Sequence, residues 1–175
     1  MIIPFEIKKP KFKFFIYEII YSFKKLFNYF DMFRYPFNDN NIITKYGKYK
    51  IRPKTTDAIT ISPAYERLDL NFTINLIKNN ISKNILFFDI GANIGGYSIS
   101  IGNIFKNKKN LDIFSFEPIE ENYKLLIDNI KLNQLEHKIT PVKKGLSNIC
   151  ESREIKFKFG KHRQICEITT LDTFF

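Results

Sequence analysis

The 175-residue chain has no tryptophan, two cysteines, one valine and three alanines. The cysteines, Cys150 and Cys166, are too few for a disulfide framework. They have neither the C-x-x-C spacing nor the paired histidines of a zinc site, so reduced thiols in a cytoplasmic compartment and no metal are expected. No run is apolar enough to cross a bilayer, because Lys13, Lys24 and Lys25 interrupt the longest candidate, and no small-residue cleavage site follows it. No G-K-[S/T] occurs, which excludes a P-loop. The valines and alanines give way to 29 Ile, 23 Lys, 19 Phe and 17 Asn, and only five of the 28 basic residues are Arg. That is the mark of AT-rich coding. The formal net charge of +10 is therefore weak evidence for an anionic partner, and a nucleic-acid partner is not expected.

What is present suits a globular fold: 44% of residues are apolar and 16% aromatic. The length fits one domain with a core. Residues 1–40 read as a basic, aromatic segment in which Ile16, Ile19, Ile20, Phe23, Leu26, Phe27 and Phe30 form one apolar face of a helix. Packing on its own domain, or on a partner, is the first expectation for this helix. A peripheral membrane contact through residues 11–33 is the second. Arg34 to Asn40 is turn-rich, and Ile42 to Ile51 reads as a hairpin around Gly47. Tyr65 to Lys78 carries Leu68, Phe72, Leu76 and Ile77 at helical spacing.

From residue 84 the pattern alternates strand and helix. Ile85–Ile90, Leu111–Phe116 and Ile139–Val142 read as strands, with helices over Gly95–Phe105 and Glu120–Leu135, the second facing inward with Tyr123, Leu126, Ile127, Ile130 and Leu132. Glu154 to Phe159 alternates in period two and reads as an added strand. The alternation predicts an α/β fold with a Rossmann-type parallel sheet over residues 41–175.

Four of the seven glycines lie between positions 91 and 102, three of them in F-F-D-I-G-A-N-I-G-G-Y-S, after a strand and before a helix. A dinucleotide fingerprint, G-x-G-x-x-G, fails here because Asn93 holds the middle position. Asp89, two residues before the first glycine, would face a pyrophosphate with like charge. S-adenosylmethionine has no phosphate and carries a sulfonium and an ammonium, so the same carboxylate favours it. Glu117 ends the second strand 28 residues later, where an acid accepts hydrogen bonds from a ribose diol.

The stretch D-I-G-A-N-I-G-G-Y-S followed by F-S-F-E-P-I-E-E-N-Y-K-L-L-I-D-N-I-K-L-N-Q-L-E resembles the FkbM family of S-adenosylmethionine-dependent methyltransferases. Y-K-I-R-P-K-T-T-D-A upstream, and V-K-K-G-L-S-N and I-T-T-L-D-T downstream, resemble the same family, so the likeness runs over roughly residues 46–175. It implies a class I methyltransferase with S-adenosylmethionine at the carboxyl ends of the strands. It places Asp89, Gly91, Asn93 and Gly95 on the methionine side, Glu117 on the ribose and Ser147 toward the adenine. The implied acceptor is a hydroxyl of a small molecule or glycan.

The family pattern continues past T-L-D into a strand ending in D-x-E-G, whereas this sequence ends at Phe175. A partial domain is expected, with Ile85–Ile90 at an open sheet edge that an oligomer would cover. No general base is evident, and His137 and His162 read as solvated loop residues. A cofactor-binding remnant without activity, and a nucleic-acid-binding or RNA-modifying protein, are the rival readings.

Overall fold

The computed structural model describes residues 40–62, 67–156 and 163–174. The helix expected over residues 11–30, the membrane contact through 11–33, and His162 lie outside them. Strands β1 (Asn41–Ile43) and β2 (Lys48–Lys50) form the hairpin expected around Gly47, with Ile42 opposite Tyr49. Helices α1 (Asp57–Thr60) and α2 (Arg67–Asn79) lead into β3 (Ile85–Ile90). Then come α3 (Gly96–Ile104), β4 (Leu111–Phe116), α4 (Glu120–Leu132) and β5 (Ile139–Val142). The chain continues through β6 (Gly145–Leu146), β7 (Glu151–Lys156), β8 (Arg163–Thr169) and the short α5 (Leu171–Phe174).

The architecture is the expected α/β one, with a parallel sheet of order β3-β4-β5. Ile85 pairs with Leu111 and Ile90 with Phe116, while Ile113 pairs with Ile139 and Phe116 with Val142. Alternation sends Leu111, Ile113 and Ile139 into one core with Ile99 and Ile101 of α3 and Leu126 and Ile130 of α4. The other face carries Phe88 stacked on Phe114 at 5.7 Å, with Phe174 of α5 edge-on to Phe116 at 5.0 Å. β3 is an edge strand among the described residues, with Leu86 and Ile90 exposed. A second sheet has the order β6-β8-β7, in which β7 runs antiparallel to β8 and β6 parallel to it.

Two helix faces differ from the reading of the sequence. In α2, Leu68, Phe72 and Leu76 are exposed, while Ile77, named with them in the sequence, is buried together with Leu70 and Ile74. The helix carries two apolar stripes, and only contact with the core chooses between them. In α4, Leu126 and Ile130 are buried as expected, but Leu132 is exposed. The helix ends there, Asn133 closing it and Gln134 turning left-handed at φ 57°, so that Leu135 enters the core from the following loop.

The hairpin is tied to α4 by two side chains acting as a strand. Asn129 accepts from the Lys50 N–H at 2.6 Å and donates to the Lys50 carbonyl at 3.2 Å. Asn133, one turn on, does the same with Lys48 at 3.0 and 2.7 Å. Each amide presents the donor–acceptor pair of a peptide group, so β2 has a hydrogen-bonded neighbour on the helix side. Asn129 also donates to the Ile94 carbonyl at 2.9 Å, which fastens the glycine loop to the same post. Beneath the hairpin, the fully buried Tyr49 bonds Ser100 at 3.2 Å, and burial pushes its phenol well above the ordinary tyrosine range.

Candidate functional site at the carboxyl ends of β3 and β4

The loop from Gly91 to Gly95 leaves the end of β3 and turns into α3. Gly91 has φ 80° and Gly95 has φ 96°, both left-handed, and Asn93 between them is left-handed at 51°. The two glycines face different surroundings. A Cβ on Gly91 would meet no atom within 4 Å, so the space over it is open. A Cβ on Gly95 would lie 2.9 Å from Leu126 and 3.0 Å from Ile99, so Gly95 lets the loop close against α3 and α4. Gly96 does the same toward α1, where a Cβ would run into the Thr60 carbonyl.

Four of the loop's N–H groups are turned onto protein acceptors. Those of Gly91 and Ala92 both donate to the Phe116 carbonyl at 2.9 Å, and that of Gly95 donates to Ala92 at 2.8 Å. The Asn93 N–H donates to Glu117 Oε2 at 2.8 Å. In the first turn of α3, the Ser98 N–H donates to Asp89 Oδ2 at 3.0 Å. The Ser98 hydroxyl also donates to Asp89, and the Ser115 hydroxyl lies 2.6 Å from it. Both serines are buried. The Ser98 proton is committed to the carboxylate, so Ser115 donates to Ser98 and the two hydroxyls form a chain ending on Asp89.

Glu117 is only 4% exposed at the end of β4. Its Oε1 accepts from the Ile119 N–H at 2.9 Å and from Asn122 Nδ2 at 3.3 Å, and its Oε2 from Asn93. Burial pushes the carboxyl above the usual glutamate range, against the pull of these donors and of the Arg52 charge. Arg52 is itself anchored: Nε and Nη2 form a fork on Asp57 at 2.9 and 2.8 Å, and Nη2 also donates to Asn122 Oδ1 at 2.8 Å. An Asp57–Arg52–Asn122 chain therefore supports Glu117 from behind.

The sequence reading sets Asp89, Gly91 and Asn93 on the methionine side and Glu117 on the ribose; the structure bonds Asp89 to Ser98 and the Gly91 N–H to the Phe116 carbonyl. Asn93 is bonded to Glu117, on the side assigned to the ribose. Gly95 lies buried under α4 as a packing glycine. Ser147 follows β6 of the second sheet, its N–H bonded to the Thr169 carbonyl at 3.0 Å and its hydroxyl 3.1 Å from Asn148 Oδ1. His137 is exposed.

No family model matches the chain, and no curated protein does. Among solved structures, the chain is similar to a proposed transferase from Pyrococcus horikoshii, with TM-score 0.40 and 21% identity over 60% of this chain and 36% of that one. It is also similar to aTrm5, solved in complex with tRNALeu, with TM-score 0.42 and 22% identity over 62% of this chain and 32% of that one. The chain thus spans about a third of the length of these two neighbours. At this level of likeness, the chemistry has to be read from the chain's own residues.

Those residues fit S-adenosylmethionine. The carboxylates of Asp89 and Glu117 make the site an acceptor surface. The space over Gly91 gives a ligand room against the backbone. Asn93 Oδ1 is a buried acceptor with no hydrogen-bond partner. A ligand rich in donors and positive charge complements this set, and a pyrophosphate, all acceptors, does not. No cluster of metal-ligating side chains occurs among the described residues, and no helix among them is long and apolar enough to cross a membrane.

Reading the sequence picked out Asp89, Asn93 and Glu117 but missed Ser98, Ser115, Asn122, Arg52 and Asp57. Asn122 stands in the quoted E-P-I-E-E-N string, and Arg52 with Asp57 in the Y-K-I-R-P-K-T-T-D string. The signal lay within the resemblance, but nothing in the spacing shows that Arg52 reaches across 70 residues to Asn122.

Proposed function

We propose that this chain is the S-adenosylmethionine-binding part of a methyltransferase of the FkbM type, acting on a hydroxyl of a small molecule or glycan. The observation that carries the reading is the direction of the loop's N–H groups. Those of Gly91, Ala92, Asn93 and Gly95 all point to protein acceptors, two of them to Phe116 O and one to Glu117. A loop built for a dinucleotide keeps such donors for the pyrophosphate. Here they hold a backbone and a carboxylate and are not free for a pyrophosphate.

When bound, S-adenosylmethionine supplies an electrophilic methyl carbon on a good leaving group, so the protein's task is alignment. Asp89, fixed by the Ser98 N–H and hydroxyl, supplies negative charge two residues before Gly91, from which an ammonium or sulfonium bound over the glycine would gain. Glu117, fixed from Asn93, Ile119 and Asn122, supplies the acceptor for a ribose hydroxyl. Arg52 favours its ionised form. The proton on an acceptor hydroxyl needs a base in the complete active site.

Calorimetric titration tests the reading. S-adenosylmethionine is expected to bind and NAD is not. Heat with NAD and none with S-adenosylmethionine, from a chain folded by circular dichroism, would overturn it. Transfer to a panel of glycosides separates an active enzyme from a binding module.

A further inference from the structure

Glu117 cannot take both hydroxyls of a ribose in the arrangement it has. An ionised carboxylate offers about four acceptor positions, two on each oxygen. On Oε1 both are filled, by the Ile119 N–H at 2.9 Å and by Asn122 Nδ2 at 3.3 Å. The Ile119 donor is backbone and cannot rotate away. The Asn122 amide is pinned from its other end, because Arg52 Nη2 donates to its oxygen at 2.8 Å and Arg52 is locked on the buried Asp57. On Oε2, Asn93 N–H fills one position at 2.8 Å, which leaves one.

The residue that fills that position carries the missing acceptor. Asn93 is the neighbour of Oε2 through its own backbone, and its side-chain Oδ1 is the one buried side-chain polar atom among the described residues without a hydrogen-bond partner. An orphaned amide oxygen is costly where no donor reaches it, and a native site that tolerates one marks a place for a ligand's donor. Its left-handed backbone, φ 51°, is one that asparagine tolerates better than most residues, so the amide can be set beside the carboxylate at little strain.

We propose that recognition of the cofactor's ribose is divided, with one hydroxyl donating to Glu117 Oε2 and the other to the Asn93 amide oxygen. The inference rests on the S-adenosylmethionine reading above and adds a determinant of ribose specificity to it. Asn93 thereby becomes a ribose residue, whereas the sequence reading set it on the methionine side.

The test crosses variants with ligands in equilibrium binding, without turnover. Wild type is titrated with S-adenosylhomocysteine and with its 2′-deoxy and 3′-deoxy analogues. Each deoxy analogue should bind roughly tenfold more weakly than the parent, the size of one hydrogen bond. Asn93→Gly keeps the left-handed turn and removes the amide. It should bind the parent roughly tenfold more weakly and become indifferent to the loss of one particular hydroxyl, while keeping its full response to the loss of the other. Asn93→Asp retains an acceptor and should respond to both losses. An Asn93→Gly protein that discriminates against both deoxy analogues as wild type does would overturn the division and return both hydroxyls to Glu117. Wild type that fails to bind the parent would overturn the cofactor reading, and the division with it.

Discussion

Gly91 and Gly95 share a left-handed backbone, and replacing each by alanine should separate ligand contact from packing. The conformational cost is similar at both, about 1–2 kcal/mol for placing an L side chain at positive φ, offset in part by the lower entropy of the unfolded alanine chain. At Gly91 nothing is added to this, because the new methyl meets no protein atom within 4 Å. At Gly95 the methyl lies 2.9 Å from Leu126 and 3.0 Å from Ile99, both fully buried, which adds an overpacking cost of about 1–3 kcal/mol. Gly95→Ala should therefore lose about 2–4 kcal/mol of folding stability in urea titrations and Gly91→Ala about 1. Binding should rank the other way. The Gly91 methyl occupies the space a cofactor needs, so affinity for S-adenosylmethionine should fall at least tenfold in calorimetry while the folded fraction stays near wild type. Folded Gly95→Ala should bind close to normally. The site assignment fails if Gly91→Ala binds as wild type does and Gly95→Ala, still folded, does not.

Asn129 offers a second test. Asn129→Ala leaves the Lys50 N–H and the Ile94 carbonyl without their partner and should cost about 2–4 kcal/mol. Asn129→Asp should cost more at neutral pH despite its closer shape, since its second oxygen faces two carbonyls, and urea midpoints should recover as pH falls and the acid becomes a donor. For Glu117, burial raises the folded-state pKa, so its contribution to stability is complete below about pH 4.3 and is lost as pH rises through the folded value. Glu117→Gln lacks that dependence, and the difference in unfolding free energy should move in the variant's favour as pH climbs from 4 to 7, whatever its sign at the start. In α2, Leu70→Ala and Ile74→Ala should each cost about 2–4 kcal/mol, while Phe72→Lys should change thermal stability little.

How far the sequence could be read depended on whether the deciding contact was local. β3 and β4 match their expected bounds because each is dominated by isoleucine, leucine and phenylalanine and ends at a glycine or at an acid before proline, while β5, Ile-Thr-Pro-Val, stops at a charged pair. Asp89 and Glu117 were visible because strand ends have a fixed relation to the loops after them. The buried face of α2 was not, since Leu68, Phe72, Leu76 and Leu70, Ile74, Ile77 each satisfy the helical period. β6 is two residues long, beneath any periodicity, and β8 is defined by its pairing with β7 and β6. The Asn129–Asn133 post and the Arg52–Asn122 link join segments 70 or more residues apart, and a side chain that behaves as a strand has no sequence signature.

These long-range links bear on how the site can be probed. Asp89 receives the first turn of α3, and Glu117 receives the glycine loop and the start of α4. Each acid thus serves both as the candidate contact for a cofactor and as an anchor for the elements that shape the pocket. Removing either one disturbs the ligand's partner and the loop together, and a lost affinity then says little about which role mattered. Changes made on the ligand avoid this. Deleting a ribose hydroxyl, or comparing S-adenosylmethionine with S-adenosylhomocysteine, which lacks the sulfonium charge, leaves every hydrogen bond within the protein intact. If Asp89 lies beside the sulfonium, S-adenosylmethionine should bind more tightly than S-adenosylhomocysteine, and raising the salt concentration should narrow the gap only slightly, because a charge pair at a partly enclosed strand end is weakly screened. Equal affinities for the two would take Asp89 away from the sulfonium and leave the ammonium, which both ligands carry, as the cation it could face.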